Sequence, residues 1–177
     1  MKYVGLFIKK LLRYLLKPLS FLPAIAVMYL IFHFSAQDGA SSAMLSRKVS
    51  YKAVTMAHRI LEKYWSDTQI EAYTEQILYY VRKTAHVTEY FVLAVTVAFP
   101  LYVYGIRGLW LVFLAGAFCV SFAGLDEYHQ SFVSGRGASV RDVMIDSIGV
   151  LPGIFLVRIT GFIGRKTIFI PLALRKK

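Results

Sequence analysis

The sequence predicts an all-α, polytopic integral membrane protein with four transmembrane helices, an N-terminal interfacial amphipathic helix and an outer amphipathic helical segment. Three observations predict it. Of 177 residues, 57% are hydrophobic and the mean hydropathy is +0.54, more than an ordinary soluble domain carries. Four stretches are apolar enough to cross a hydrocarbon core of roughly 30 Å, which takes about 20 helical residues. The net charge of +11 is concentrated in terminal segments beside apolar runs, which is the positive-inside pattern.

Residues 1–18 read as a helix lying along the inner membrane surface. At helical spacing, Val4, Phe7, Ile8, Leu11, Leu12 and Leu15 cover one side, and Lys2, Lys9, Lys10, Arg13 and Lys17 the other. The first span follows at 19–36. A cleaved signal peptide fits loosely, but eighteen residues precede the apolar core, which is longer than a usual h-region. The span is therefore read as retained.

Segment 37–80 has no spanning run. Val54, Ala57, Leu61 and Tyr64 recur at three- and four-residue steps, which predicts an amphipathic helix. Ser66 and Asp67 look like a helix start, and Ile70, Ile77 and Tyr80 lead towards the next span. The expectation is two helices resting on the outer surface or capping the bundle. Spans at 85–104, 109–125 and 143–163 complete the set, with Gly105–Gly108 as a tight inner turn. The whole of 1–177 reads as one membrane domain, multi-pass in a bacterial plasma membrane, with both termini cytoplasmic.

The charge distribution also selects the partner. Residues 1–18 hold five basic residues and 158–177 hold six, with no acid in either. Segments 37–83 and 126–142 together hold nine basic residues against eight acids. A nucleic-acid binder collects its basic excess on one folded surface. This chain does not, so nucleic acid is excluded as a partner and membrane lipids are expected. Cys119 stands alone in an apolar run, so no disulfide can form within the chain.

A charged side chain at membrane depth costs about 2.5–3.5 kcal/mol on insertion scales, which makes each one a functional candidate. Three groups stand out. On a helix, Arg82, Lys83, His86, Glu89 and Tyr90 fall within one arc of about 120°. They offer cations, an imidazole and a carboxylate to a single ligand, and this reading is preferred over an internal salt bridge of Arg82 or Lys83 to Glu89 that merely allows insertion. Asp126, Glu127 and Gln130 end the third span, with Arg136 in a following Gly-Arg-Gly turn. Arg141, Asp142 and Asp146 open the fourth. There Gly149 and Gly153 form a G-x-x-x-G pair that allows close helix approach. It would press Asp146 against a neighbouring helix, where it needs a partner: Arg82, Lys83 or Arg136. All three groups, with Gln37 after the first span, fall at the outer ends of spans, so one outward-facing polar site is expected.

These residues resemble the VanZ-like family. The matching pieces are Phe34-Ser35-Ala36-Gln37 with Ser41, then Lys83-x-x-His86-x-x-Glu89-Tyr90. They continue with Asp126-Glu127-x-x-Gln130, Gly135-Arg136, and Asp142 with Asp146-x-x-Gly149. The resemblance covers most of residues 19–157. Asn is the commoner residue at the position of Asp146, and the insert around 51–75 matches no family motif. The resemblance implies a role in resistance to the glycopeptide teicoplanin, apart from the enzymes that remodel the peptidoglycan stem peptide. It supplies neither a biochemical activity nor the identity of any cofactor. Teicoplanin carries an acyl chain, so a lipoglycopeptide or a lipid-linked cell-wall precursor is the ligand class an outward membrane-level site would meet.

Three functions compete. A binding site would use Arg82, Lys83 and Arg136 for a phosphate or carboxylate, with Glu89, Asp126 and Gln130 orienting polar groups. An enzyme acting on an envelope lipid or glycan would use His86 as general base, oriented by Glu89 or Asp126, with Arg136 stabilising an oxyanion or phosphate. Its metal-dependent form would draw on His86, Glu89, Asp126, Glu127 or His129, although no zinc signature is present. A transporter ranks last, because Val92–Val103 and Val112–Val120 are almost wholly apolar and leave no polar route across.

Overall fold

The computed structural model describes residues 17–62 and 64–167. The expected inner-surface helix over 1–18 lies, but for its last two residues, outside them. Among the described residues five helices follow in order: α1 (Leu22–Ser35), α2 (Gly39–Ile60), α3 (Asp67–Val103), α4 (Gly108–Gln130) and α5 (Val140–Thr167). No strand occurs among the described residues. Lys17–Ser35, Asp67–Val103, Gly108–Gln130 and Val140–Gly164 are long and apolar enough to cross a membrane.

The bundle is built from narrow buried stripes. On α1 the buried positions are Ala24, Ile31 and Ser35, one face only, while Leu22, Ile25, Tyr29 and Leu30 are exposed. Such exposure is costly in water and neutral in lipid. On α4 the buried row is Leu111, Ala115, Cys119 and Ala123, spaced by four, and its small side chains let neighbours approach. The lone cysteine is thus a packing residue. Tyr90, Leu93, Ala94 and Val97 of α3 meet Val150, Ile154 and Val157 of α5 in the same core.

The largest helix contact is α3 against α5, and its cause is legible in two glycines. A Cβ on Gly149 would strike the Val87 carbonyl oxygen and approach the Phe91 amide nitrogen to 2.9 Å. A Cβ on Gly153 would come within 2.6 Å of the Phe91 carbonyl oxygen and 2.9 Å of the Ala94 Cβ. The expected G-x-x-x-G face is therefore the α5 surface that seats on α3.

Outside the core, α2 and the leading half of α3 form an antiparallel hairpin. Ser66 caps α3, accepting from the Gln69 amide at 3.3 Å while the Gln69 side chain accepts from the Ser66 amide at 3.0 Å. From there α3 runs unbroken for 37 residues. At 1.5 Å per residue that is about 55 Å, well beyond the roughly 30 Å of a hydrocarbon core. The second helix of the 37–80 segment is thus the leading half of the spanning helix α3 and not a separate element. Val54, Ile70, Ser50 and Thr74 are buried in the hairpin, and Arg47 pairs with Glu71 and, at 3.0 Å, with Glu75. Tyr64, expected on the apolar face of the first of these helices, is fully exposed. The helix ends at Ile60, and Glu62 takes a φ of +50°, which turns the chain before Tyr64.

Candidate functional site

Four helix ends and one loop converge at a single end of the bundle. Ser35 is the last residue of α1, and Asp126 and Gln130 lie one turn apart at the end of α4. The buried Asp126 Oδ2 accepts from Ser35 Oγ at 2.7 Å and from Gln130 Nε2 at 2.9 Å. Gln130 Nε2 also lies 3.2 Å from Ser35 Oγ, closing a three-membered buried network between α1 and α4. Asp126 Oδ1 is buried with no protein partner.

The loop between α4 and α5 brings in Arg136. Its Nη1 donates to Gln130 Oε1 at 3.1 Å and its Nη2 to the Phe34 carbonyl at 3.2 Å. That carbonyl, which also accepts from the Gln37 amide at 3.3 Å, lies at the partially negative end of α1, so a guanidinium is well matched there. Burial, then the nearby Arg82 charge, draws the Arg136 pKa below its ordinary value. Its Nε is buried and unpartnered. The loop is fastened to α2, where the Gly39 amide donates to the Ser134 carbonyl at 3.0 Å. Gly135 beside it has φ +72°, and a Cβ on Gly39 would collide with the Gly135 carbonyl oxygen. Asp38 caps α2 by accepting from the Ser41 amide at 2.9 Å and hydroxyl at 2.7 Å, which lowers its pKa.

On the other side, Lys83 of α3 pairs with Asp142 at 2.7 Å, in the first turn of α5 where a carboxylate complements the helix dipole. Glu127 accepts from the Ser139 amide at 2.8 Å, holding the start of α5. Asp146, nearly buried, has its Oδ1 3.8 Å from His86 Nδ1, and Glu89 Oε2 lies 3.8 Å from the same nitrogen. These distances make ion pairs if the imidazole is protonated and exceed hydrogen-bond reach. The neighbour of Asp146 is therefore His86. The three cations expected for that role are placed elsewhere: Lys83 on Asp142, Arg136 on Gln130 and Phe34, and Arg82 on the cavity wall.

Between these groups lies a cavity of about 150 Å³. Arg82, His86 and Glu89 form one wall on α3, Gln37 and Arg136 a second, and Ser42, Leu45 and Ser46 of α2 a third. The sequence-derived residues thus separate by position. Gln37, Arg82, His86, Glu89 and Arg136 line the cavity. Lys83, Asp126, Glu127, Gln130, Asp142 and Asp146 lie behind or beside it in the pairs just described. Tyr90 does not line it: the side chain is fully buried in the core near the Phe122 ring, because α3 turns that position towards α4. Arg141 is exposed and outside the lining. His129 stacks on Phe32 at 4.2 Å, and no group of three or more His, Cys, Asp or Glu side chains among the described residues is disposed to hold a metal.

Three contributors escaped the sequence reading as site residues: Ser35, Ser42 and Ser46. Asp38 is an N-cap residue type, and reading it as a helix start would have placed α2 from Gly39 and set Ser42 and Ser46 on one face.

A multi-pass helical membrane protein with a charged cavity at one end of its bundle is the class that fold and site define. The chain belongs to the VanZ/LLP1 family, whose model matches residues 20–161 and so takes in nearly all of the four spans and every cavity residue. No curated protein and no solved structure matches it.

Proposed function

We propose that this VanZ/LLP1 protein contributes to envelope protection and teicoplanin-type glycopeptide resistance by binding a lipid-like or lipid-linked ligand in the cavity between α1, α2 and α3. In this reading the polar end faces outward from a bacterial plasma membrane and both basic termini lie in the cytoplasm. The observation that carries it is that Arg82 and Arg136 both line one cavity at the polar end of the bundle. Two guanidiniums so placed suit a phosphate or carboxylate head group, which Arg recognises with several donors at once. Gln37, Ser42 and Ser46 add neutral hydrogen-bonding groups.

The test is teicoplanin and vancomycin susceptibility in a sensitive host producing wild type, Arg136→Ala or His86→Ala at matched membrane levels. Wild type is expected to protect selectively against teicoplanin, and both variants are expected to lose that protection. Protection retained in both would sink the cavity reading. Orientation is tested separately with an impermeant maleimide on Cys119→Ser cells: Gln37→Cys is expected to react and Arg107→Cys to be silent.

One observation favours a second reading, a membrane enzyme acting on an envelope lipid or glycan. His86 sits between two carboxylates, Glu89 and Asp146, an arrangement that can orient an imidazole for general base work. Turnover of a lipid-linked precursor by the purified protein, lost in His86→Gln, would establish it. Absence of turnover with and without divalent metal would remove it.

A further inference from the structure

A second concavity lies along the same pair of helices, and its lining is of opposite character. Leu45 and Val49 of α2 face Val81, Ala85 and Thr88 of α3 across a groove of about 610 Å³, with Tyr80 at one end. That volume falls within the roughly 300–1,000 Å³ usual for small-molecule sites. No charged side chain lines it. Thr88 spends its hydroxyl inside its own helix, donating to the Thr84 carbonyl at 2.8 Å, so the group it offers the groove is a methyl. The polar cavity and this groove share Leu45, Ser46 and Ala85 as lining. Ala85 is the smallest side chain on that stretch of α3, so little more than a methyl group stands between the two at that point.

From this juxtaposition we propose that the α2–α3 groove holds the alkyl chain of an amphiphile whose anionic head group occupies the cavity of Arg82 and Arg136. The inference rests on the ligand-binding reading above and extends it, assigning the apolar half of the ligand to a defined surface. Charge complementarity selects the head group, and the shared wall selects a chain attached to it over an unconnected apolar molecule. The site then discriminates single amphiphiles with a compact anion from bulk zwitterionic lipid, which brings its own cation to the two arginines.

The full chain in phosphatidylcholine nanodiscs would be irradiated with a hexadecyl phosphate carrying a diazirine at the chain terminus. Labelled residues would be mapped by mass spectrometry. Butyl phosphate binding, followed by calorimetry, reports the head-group cavity alone. Label is expected on Val49 and on Tyr80 to Thr88. In Thr84→Trp and, independently, Thr88→Trp, filling the groove is expected to cut that label by roughly tenfold, about 1.4 kcal/mol of binding. Butyl phosphate should bind both variants as it binds wild type. Label spread evenly over the lipid-facing residues of α4, or unchanged by both Trp substitutions while butyl phosphate still binds, overturns the groove and leaves the cavity reading intact. Failure of wild type to bind butyl phosphate overturns the cavity reading and the two-part ligand with it.

Discussion

Replacing Gly149 by Ala adds one methyl group to the tightest helix crossing in the molecule. The added carbon would overlap the Val87 carbonyl oxygen and lie 2.9 Å from the Phe91 nitrogen. Both obstacles are backbone atoms of α3, so no side-chain rotation relieves them and α5 must move away. Overpacking of this kind costs typically 1–3 kcal/mol, and rigid neighbours place Gly149→Ala at the upper end. For a chain of this size each kcal/mol lowers the melting temperature by roughly 2–4 °C, so a fall of about 6–12 °C is expected. Gly124→Ala is the internal control. Gly124 is exposed on α4 with nothing within 4 Å of an added Cβ, and Ala is the better helix former by up to about 1 kcal/mol. Thermal unfolding of the two purified variants by circular dichroism therefore gives shifts of opposite sign, or one large fall beside no change. Equal shifts would refute the close-approach argument. The displacement should also part His86 from Asp146, three residues before Gly149, so loss of teicoplanin protection is expected to accompany the fall.

The other predictions concern the polar pairs. A double-mutant cycle on Lys83→Gln and Asp142→Asn, read by denaturation, should return a coupling of about 0.5–1 kcal/mol, because both side chains retain some solvent. Asp126→Asn keeps an acceptor for Ser35 and is expected to be milder than Asp126→Leu, which leaves the buried Ser35 hydroxyl without its acceptor at about 1–3 kcal/mol, while Gln130 keeps its bond to Ser35 Oγ. The α2 cap should fail in acid. The Asp38 pKa is held below its unfolded value of 3.8, so its contribution is complete above 3.8 and is lost as pH falls through the lower folded value. The Ser41 amide resonance in an acid titration reports this, and in Asp38→Asn it is expected to be insensitive to pH.

Four spans were legible because hydropathy and length are local properties, each readable from some twenty consecutive residues. The fusion of the outer segment with the second span was not. Hydropathy sees a boundary near Thr84, whereas the helix sees none: between Ser66 and Pro100 no Pro or Gly interrupts α3, and a backbone without a stop signal continues. Reading breakers ahead of hydropathy would have found it. The start of α2 was missed for the opposite reason, since its Asp38 cap precedes a polar first turn with no apolar periodicity to attract notice.

For the site, the sequence supplied most of the residues and few of the partnerships. Helical spacing put Asp126 and Gln130 on one face, and nothing in it could say that Ser35, 91 residues away, completes their network. The exchange at Asp146 has the same origin. Gly149 and Gly153 determine that α5 seats on Val87 to Ala94, and that register sets Asp146 one turn earlier beside His86. Asp142, a further turn back, then reaches Lys83. A choice among three cations, undecidable from charge alone, follows from where two missing side chains let the helices touch. Lys83 is engaged by Asp142, while Arg82 and Arg136 line the cavity, so in the binding role proposed above a ligand's negative charge would meet guanidinium and not ammonium. Arg136→Lys, with fewer donors and no planar fork, should then hold the α1 carboxyl end less well and bind the head group more weakly, whereas Lys83→Arg should leave both nearly unchanged.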